Sequence, residues 1–207
     1  MFSDPLIITA VLVAFSLGGI LKGATGAGAP IITIPVIAAF YDVRIAVIIM
    51  VVPNLLTNIG QLYQFRKTIL PKFFTLSFAL GGGIGAFLGT ILLVNLSIKI
   101  LTLSVAFIVI IYILLKLIVP SWKLTYKKAE KLVFLMGTGG GVLQGTAGLS
   151  APISITFLNS MKLERNQFIP TISVYFGVMS IFQMPTLYYY DFLNLEIIIV
   201  SFISTLV

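Results

Sequence analysis

The chain contains no cysteine and no histidine, and only six acidic residues in 207. Disulfides and thiolate nucleophiles are therefore excluded, as are zinc or haem ligation through these side chains and imidazole acid–base catalysis. An intramembrane enzyme would have to use carboxylates, lysines and hydroxyls, and no paired carboxylates fall within the apolar segments. Nothing calls for a metal or a cofactor: the glycine-rich strings lack the Gly-Lys-Ser/Thr of a nucleotide loop and no soluble βαβ unit surrounds them. Charge is scarce too, at 9% of residues, where soluble domains carry about 25%. The N-terminus, MFSDPLII, lacks a basic n-region, so no cleaved signal peptide is expected.

What is present is apolar surface: 59% of residues are hydrophobic. Apolar segments run at 5–22, 29–41, 45–65, 72–94, 98–119, 131–146, 151–161, 168–188 and 194–207, and several reach the length that crosses a bilayer. The expected fold class is an all-α polytopic membrane protein whose main partner is the lipid bilayer. Placing the 66–72 and 123–131 loops in the cytoplasm puts eleven basic residues inside: Lys22, Arg66, Lys67, Lys72, Lys116, Lys123, Lys127, Lys128, Lys131, Lys162 and Arg165. Only Arg44 and Lys99 fall outside, with Asp4, Asp42, Asp191 and Glu196. This positive-inside bias predicts an external N-terminus, and it accounts for the net charge of +7 without nucleic acid.

Gly18–Ile31, GGILKGATGAGAPI, recurs 122 positions later at Gly140–Ile153 as GGVLQGTAGLSAPI, with eight of fourteen positions identical. The same offset pairs Asp42 with Glu164, Asn58 with Ser180, and Gln61 with Gln183. An odd number of segments separates the copies, so they should enter the bilayer from opposite faces as an inverted repeat, an arrangement found in many secondary transporters. The expected division is residues 1–119 as the first membrane repeat and 120–130 as a basic cytoplasmic loop. Residues 131–207 form the second, inverted repeat, C-terminally incomplete by symmetry with the first half.

Each copy runs through a glycine-rich break into a short segment, 29–41 or 151–161, of thirteen or eleven residues. At about 1.5 Å per residue neither crosses a core of about 30 Å. Each pair is therefore expected to be a hairpin broken at a glycine-rich tip, with the two tips meeting near the centre. Pro30 and Pro152 are expected in the first turn of the second helix. Gly23, Gly26 and Gly28, with Gly145 and Gly148, would turn the chain and expose amide donors to a small anion. Thr25, Thr146 and Ser150 would add hydroxyls, and Lys22 a cation whose counterpart is the neutral Gln144. Close helix packing through small residues is the competing reading of the glycines, and snorkelling to the interface that of Lys22.

Asn54, Asn58 and Gln61 share one helical face, as do Ser173, Ser180 and Gln183. Interhelical hydrogen bonding and substrate contact explain these stripes equally well. Gly81, Gly85 and Gly89 form a small-xxx-small ridge that reads as helix packing.

The sequence GATGAGAPIITIP at 23–35, the polar-studded helix ending in Q-x-x-x-x-R-K, and the second glycine-proline turn after a basic loop together resemble the sulfite exporter TauE/SafE family of bacterial membrane permeases. The resemblance covers essentially the whole chain, although the first turn carries a thinner glycine run than many members. It implies transport of sulfite, an organosulfonate or a related sulfur-containing organic anion across the inner membrane, driven by an ion gradient. Gly23–Pro30 and Gly145–Pro152 would match the family's two signature turns. The expectation is a permease working by alternating access, with a small anionic substrate, a coupling proton or sodium ion, and room for homo-oligomers. A passive anion channel, a membrane-embedded enzyme and a structural or assembly subunit are the competing classes.

Overall fold

The computed structural model describes residues 5–118 and 123–206; Asp4, the Lys116 side chain and the boundary at 119–120 lie outside the described residues. Among the described residues the chain forms nine α-helices and no strand. They are α1 (Pro5–Thr25), α2 (Ala29–Phe40), α3 (Val43–Phe65), α4 (Lys72–Asn95), α5 (Ile98–Ile118), α6 (Tyr126–Ala147), α7 (Ser154–Ser160), α8 (Arg165–Tyr189) and α9 (Leu195–Thr205). Four helical stretches, Pro5–Thr25, Val43–Thr68, Lys72–Asn95 and Arg165–Tyr189, are long and apolar enough to cross a membrane. Helix is the expected form for apolar chain in lipid, where every backbone polar group must be satisfied within its own segment.

The helix starts follow local chemistry. Asp42 caps α3 by accepting from the Ile45 amide at 2.9 Å, and Asn194 caps α9 by accepting from Ile197 at 2.9 Å. Helix α6 begins at Tyr126, ahead of its apolar stretch, because Lys127, Lys128, Glu130 and Lys131 are good helix formers. Two expectations need correction. Pro152 does not open the second short helix: residues 151–153 form a turn and α7 starts at Ser154, whereas Pro30 does sit in the first turn of α2. Gly23 and Gly145 are not turn residues, since both lie inside helices, near the ends of α1 and α6.

The bundle has two chemically different ends. At one, Thr68 Oγ1 donates to the Asn166 carbonyl, Leu70 N–H to Thr171 Oγ1 at 3.5 Å, and Leu124 N–H to the Ser160 carbonyl at 2.8 Å. These bonds gather the segments that carry Arg66, Lys67, Lys72, Lys123, Lys162 and Arg165 into one basic end. At the other end Arg44 donates to the carbonyls of Leu93 (3.1 Å) and Leu96 (2.7 Å) and lies 5.3 Å from the Phe192 ring centroid.

Two interfaces hold the bundle together. Along α4 and α6 the backbones touch through six glycines, Gly81, Gly85 and Gly89 against Gly137, Gly141 and Gly145. A Cβ at any of them would fall 2.2–2.6 Å from a carbonyl oxygen of the facing helix, which is why a side chain is not tolerated there. Helices α3 and α8 pack antiparallel: Asn54 bonds Ser180 while Gln61, two turns on, bonds Ser173, two turns back. One apolar core, with Ile37, Val43, Ala46 and Leu187, lies toward the Arg44 end; a second, with Phe74, Phe78, Phe157 and Tyr175, lies toward the basic end.

Candidate functional site

Lys22 occupies the last turn of α1 but is only 6% exposed. It does not snorkel. Its Nζ donates to Asn54 Oδ1 at 3.5 Å, the one hydrogen bond its ammonium makes among the described residues. The position follows from the close packing of α1 on α2, where a Cβ on Gly18 would lie 3.1 Å from the Ala29 carbonyl. Asn54 stands eleven residues into the 23-residue α3, about 17 Å along a helix of about 34 Å and so near mid-depth. A lysine at that depth costs on the order of 3 kcal/mol when nothing compensates it. No carboxylate among the described residues does so.

Lys22 lines a cavity of about 60 Å³ whose other walls are mainly apolar, with Phe15, Met50 and Pro53, and to which Thr57, Ser204 and Thr205 add hydroxyl-bearing side chains. On a measure of about 15 Å³ per water, that holds about four waters or one small oxyanion. The hydroxyls of Thr57, Ser204 and Thr205 already donate to carbonyls of their own helices at 2.6, 2.8 and 2.9 Å. The Asn54 amide donates to Ser180 Oγ at 3.2 Å, and Asn58 Nδ2 to Asn54 Oδ1 at 2.9 Å. Donor capacity toward a guest is thus concentrated on Lys22. The hydroxyls of Ser204 and Thr205 are not among the residues that the motifs single out, although Ser201, Ser204 and Thr205 mark one face of α9.

The polar stripes meet each other. Gln61 accepts from Ser173 Oγ at 3.3 Å and donates to the Lys22 carbonyl at 3.4 Å, tying the α3–α8 seam to α1. Gln183 stands apart from the Lys22 cavity: it is 1% exposed, and among the described residues neither its amide oxygen nor its nitrogen has a partner. Gln144 Oε1, Asn58 Oδ1 and Thr186 Oγ1 are likewise buried without partners.

The breaks depart from the expected amide cradle. Gly26, Gly28 and Gly148 have φ of 84°, 105° and 70°, left-handed values that favour glycine. Yet the Gly26 amide donates to the Lys22 carbonyl at 2.7 Å, and its repeat mate Gly148 donates to the Gln144 carbonyl at 2.8 Å. Both close the preceding helix and are not offered to an anion. Thr25 Oγ1 lies within donating distance of the carbonyls of Leu21 (2.8 Å) and Ala27 (2.5 Å), which share its one proton, Thr146 donates to the carbonyl of Gly89 (3.2 Å), and Ser150 accepts from Ser154 Oγ at 3.1 Å. Gly28 and Pro30 share a pocket of about 10 Å³ with Gln144, Gly148 and Ser150, less than one water on the measure above. The two breaks therefore flank a common small void, and the Lys22 cavity is separate from it.

The neighbours of the breaks are reciprocal. A Cβ on Gly26 would meet Ile169 of α8 at 2.6 Å; one on Gly148 would meet Val47 of α3 at 3.2 Å and Ile34 at 2.1 Å. Val47 and Ile169 are themselves 122 positions apart. Each lies four residues into its helix, about 6 Å from the start, one near the Arg44 end and one near the basic end.

The family model of the sulfite exporter TauE/SafE matches residues 10–207. The chain belongs to this family. Comparison with curated proteins and with solved structures gave no match. TauE/SafE proteins are membrane transporters of sulfur anions rather than enzymes, and membership agrees with the four bilayer-length helices in making this a multi-pass membrane protein.

Proposed function

We propose that this TauE/SafE protein is a secondary transporter that moves a small sulfur-containing anion, sulfite or an organosulfonate, by alternating access. The observation that carries this reading is Lys22, a lysine buried near mid-depth that lines a cavity of about 60 Å³ and whose amine bonds, among the described residues, only to a neutral carboxamide. A lysine held in an apolar bundle without a carboxylate keeps its charge only when an anion joins it, so the partner it favours is a mobile anion. The fold division into residues 1–119, 120–130 and 131–207 as two inverted repeats is part of the proposal. The antiparallel seam of α3 and α8 supports it, as do the reciprocal Gly26–Ile169 and Gly148–Val47 neighbours. The basic end faces the cytoplasm, with the chain in the bacterial inner membrane and Pro5 at the outer side. A proton or sodium gradient supplies the driving force.

The test is reconstitution in proteoliposomes, comparing uptake of sulfite, sulfonates and carboxylates with and without an imposed proton or sodium gradient. Saturable anion uptake that runs against its own gradient, and that Lys22→Gln lowers about tenfold to a hundredfold, is the expected result. Purely downhill flux would turn the reading into an anion channel. Uptake of a cation or neutral solute with no anion transported would overturn it.

A further inference from the structure

A mainly apolar cavity of about 500 Å³ lies at the basic end between the first break, α5 and the α7–α8 corner. Thr25, Asn159 and Arg165 bring its polar groups, while Leu21, Ile31 and Phe168 bring an apolar wall. Arg165 is exposed, and one of its nitrogens, Nη2, donates to the Gly23 carbonyl at 3.0 Å. A guanidinium has five N–H donors, so most of its capacity remains directed outward. Gly28, Ile31 and Ile155 line both this cavity and the small pocket beyond it that contains Gln144 and Ser150. The cavity therefore adjoins the region between the two breaks, with Gly28, Ile31 and Ile155 standing between them.

The 122-residue offset reveals what stands at the other end. Thr25, Ala27, Asn159, Arg165 and Phe168 correspond to Ala147, Leu149, Ile37, Val43 and Ala46. All five counterparts are buried, none more than 3% exposed, and all belong to the apolar core at the Arg44 end. One end is open and lined by a cation; at the other end these five equivalent positions are buried and apolar, and Val43 borders there a mainly apolar cavity of about 430 Å³ shared with α2 and α5. We propose that the open cavity is an intake site for an organic anion, whose charged group is held by Arg165 and whose hydrocarbon part lies on Leu21, Ile31 and Phe168, and that this structure is the state open to the basic end. The inference rests on the transport reading above and adds to it a positioning residue and a side of entry. Arg165 acts there by concentrating the anion, as a cation in a low-dielectric cleft raises the local concentration of its counter-ion.

The absence of cysteine gives a clean background for testing this. Asn159→Cys and Ile37→Cys, each alone in lipid nanodiscs, are exposed to a sulfonate-bearing and a trimethylammonium-bearing thiosulfonate. Asn159→Cys is expected to react with the anionic reagent about tenfold faster than with the cationic one, and millimolar organosulfonate should slow that reaction. Adding Arg165→Gln should erase the preference and Arg165→Lys preserve it, an effect that a purely structural arginine would not produce. Ile37→Cys should react at least about a hundredfold more slowly, as a closed core requires. In proteoliposomes Arg165→Gln should raise KM about tenfold while leaving kcat nearly unchanged. An unreactive Asn159→Cys, a charge preference indifferent to Arg165, or protection by anionic phospholipid and not by soluble sulfonate would each overturn the proposal. An Arg165-dependent preference in a chain that moves no anion would support the anion site and overturn the transport it serves. Transport without that preference would overturn the site alone.

Discussion

Lys22 and Gln144 hold equivalent places in the two copies of the repeat, and they differ in the one property that matters for an anion. Lys22 is bonded to Asn54, whereas Gln144 lies in a pocket with Phe176, the residue at the position equivalent to Asn54. The substitution Lys22→Gln therefore gives the first half the chemistry of the second. With hydrogen bonds to a charged group worth about 1.5–3 kcal/mol, anion uptake should fall about tenfold to a hundredfold. Radiolabelled uptake into proteoliposomes checks this; unchanged uptake would remove Lys22 from the site. Gln183 offers the opposite signature. Two unpartnered amide atoms in a buried side chain carry a desolvation cost of about 1–3 kcal/mol each. Gln183→Met, which keeps the volume, should raise the thermal midpoint in detergent. If the amide meets substrate or coupling ion during transport, the same variant should also slow uptake; a raised midpoint with unaltered uptake would make the residue only a structural defect.

At the scale of the helix, the glycines divide by what surrounds them. Gly85→Val or Gly141→Val pushes a side chain into the facing backbone of the α4–α6 contact and should destabilise the protein by at least about 1–3 kcal/mol. Gly60, where an added Cβ would meet nothing within 4 Å, should tolerate alanine. Thermal unfolding of the three variants side by side tests the distinction, and equal stability would argue against the packed interface. Much of this is legible in the residues: the nine apolar segments are helices, and the Gly81–Gly89 ridge packs as its spacing suggests. Its partner is harder to see although Gly137, Gly141 and Gly145 have the same four-residue period, because Gly145 also falls inside the repeated motif and there reads as a turn. The start of α6 lies ahead of its apolar segment because hydropathy does not register a charged helical turn such as Tyr126–Glu130. Pro152 misleads because a proline near a break marks a chain reversal as well as a helix start, and only tertiary packing selects between them. The hydroxyls of α9 are hidden for a different reason: each donates to its own helix, so only the arrival of α9 beside Lys22 gives them a role.

For the whole molecule, the sequence offset and the positive-inside pattern suggest two halves and two unlike ends, while depth and closure require coordinates. Nothing in the motif indicates that Gly26 and Gly148 spend their amides on the preceding helices, leaving the lysine side chain as the cation at mid-depth. Nor does it indicate which end is shut. Arg44 bears on that question. It fastens the start of α3 to the last turn of α4 and stacks on Phe192 beside the start of α9. Any motion that parts those elements must first release two charged hydrogen bonds. Arg44→Gln should thus shift the population toward opening at that end, read as a rise of about tenfold or more in the reactivity of Ile37→Cys; no rise would show that the arginine does not restrain that motion. Under the alternating-access proposal Arg44 would be a latch, and the reluctance of the far doorway to unfasten would set how long each captured guest waits before it can leave.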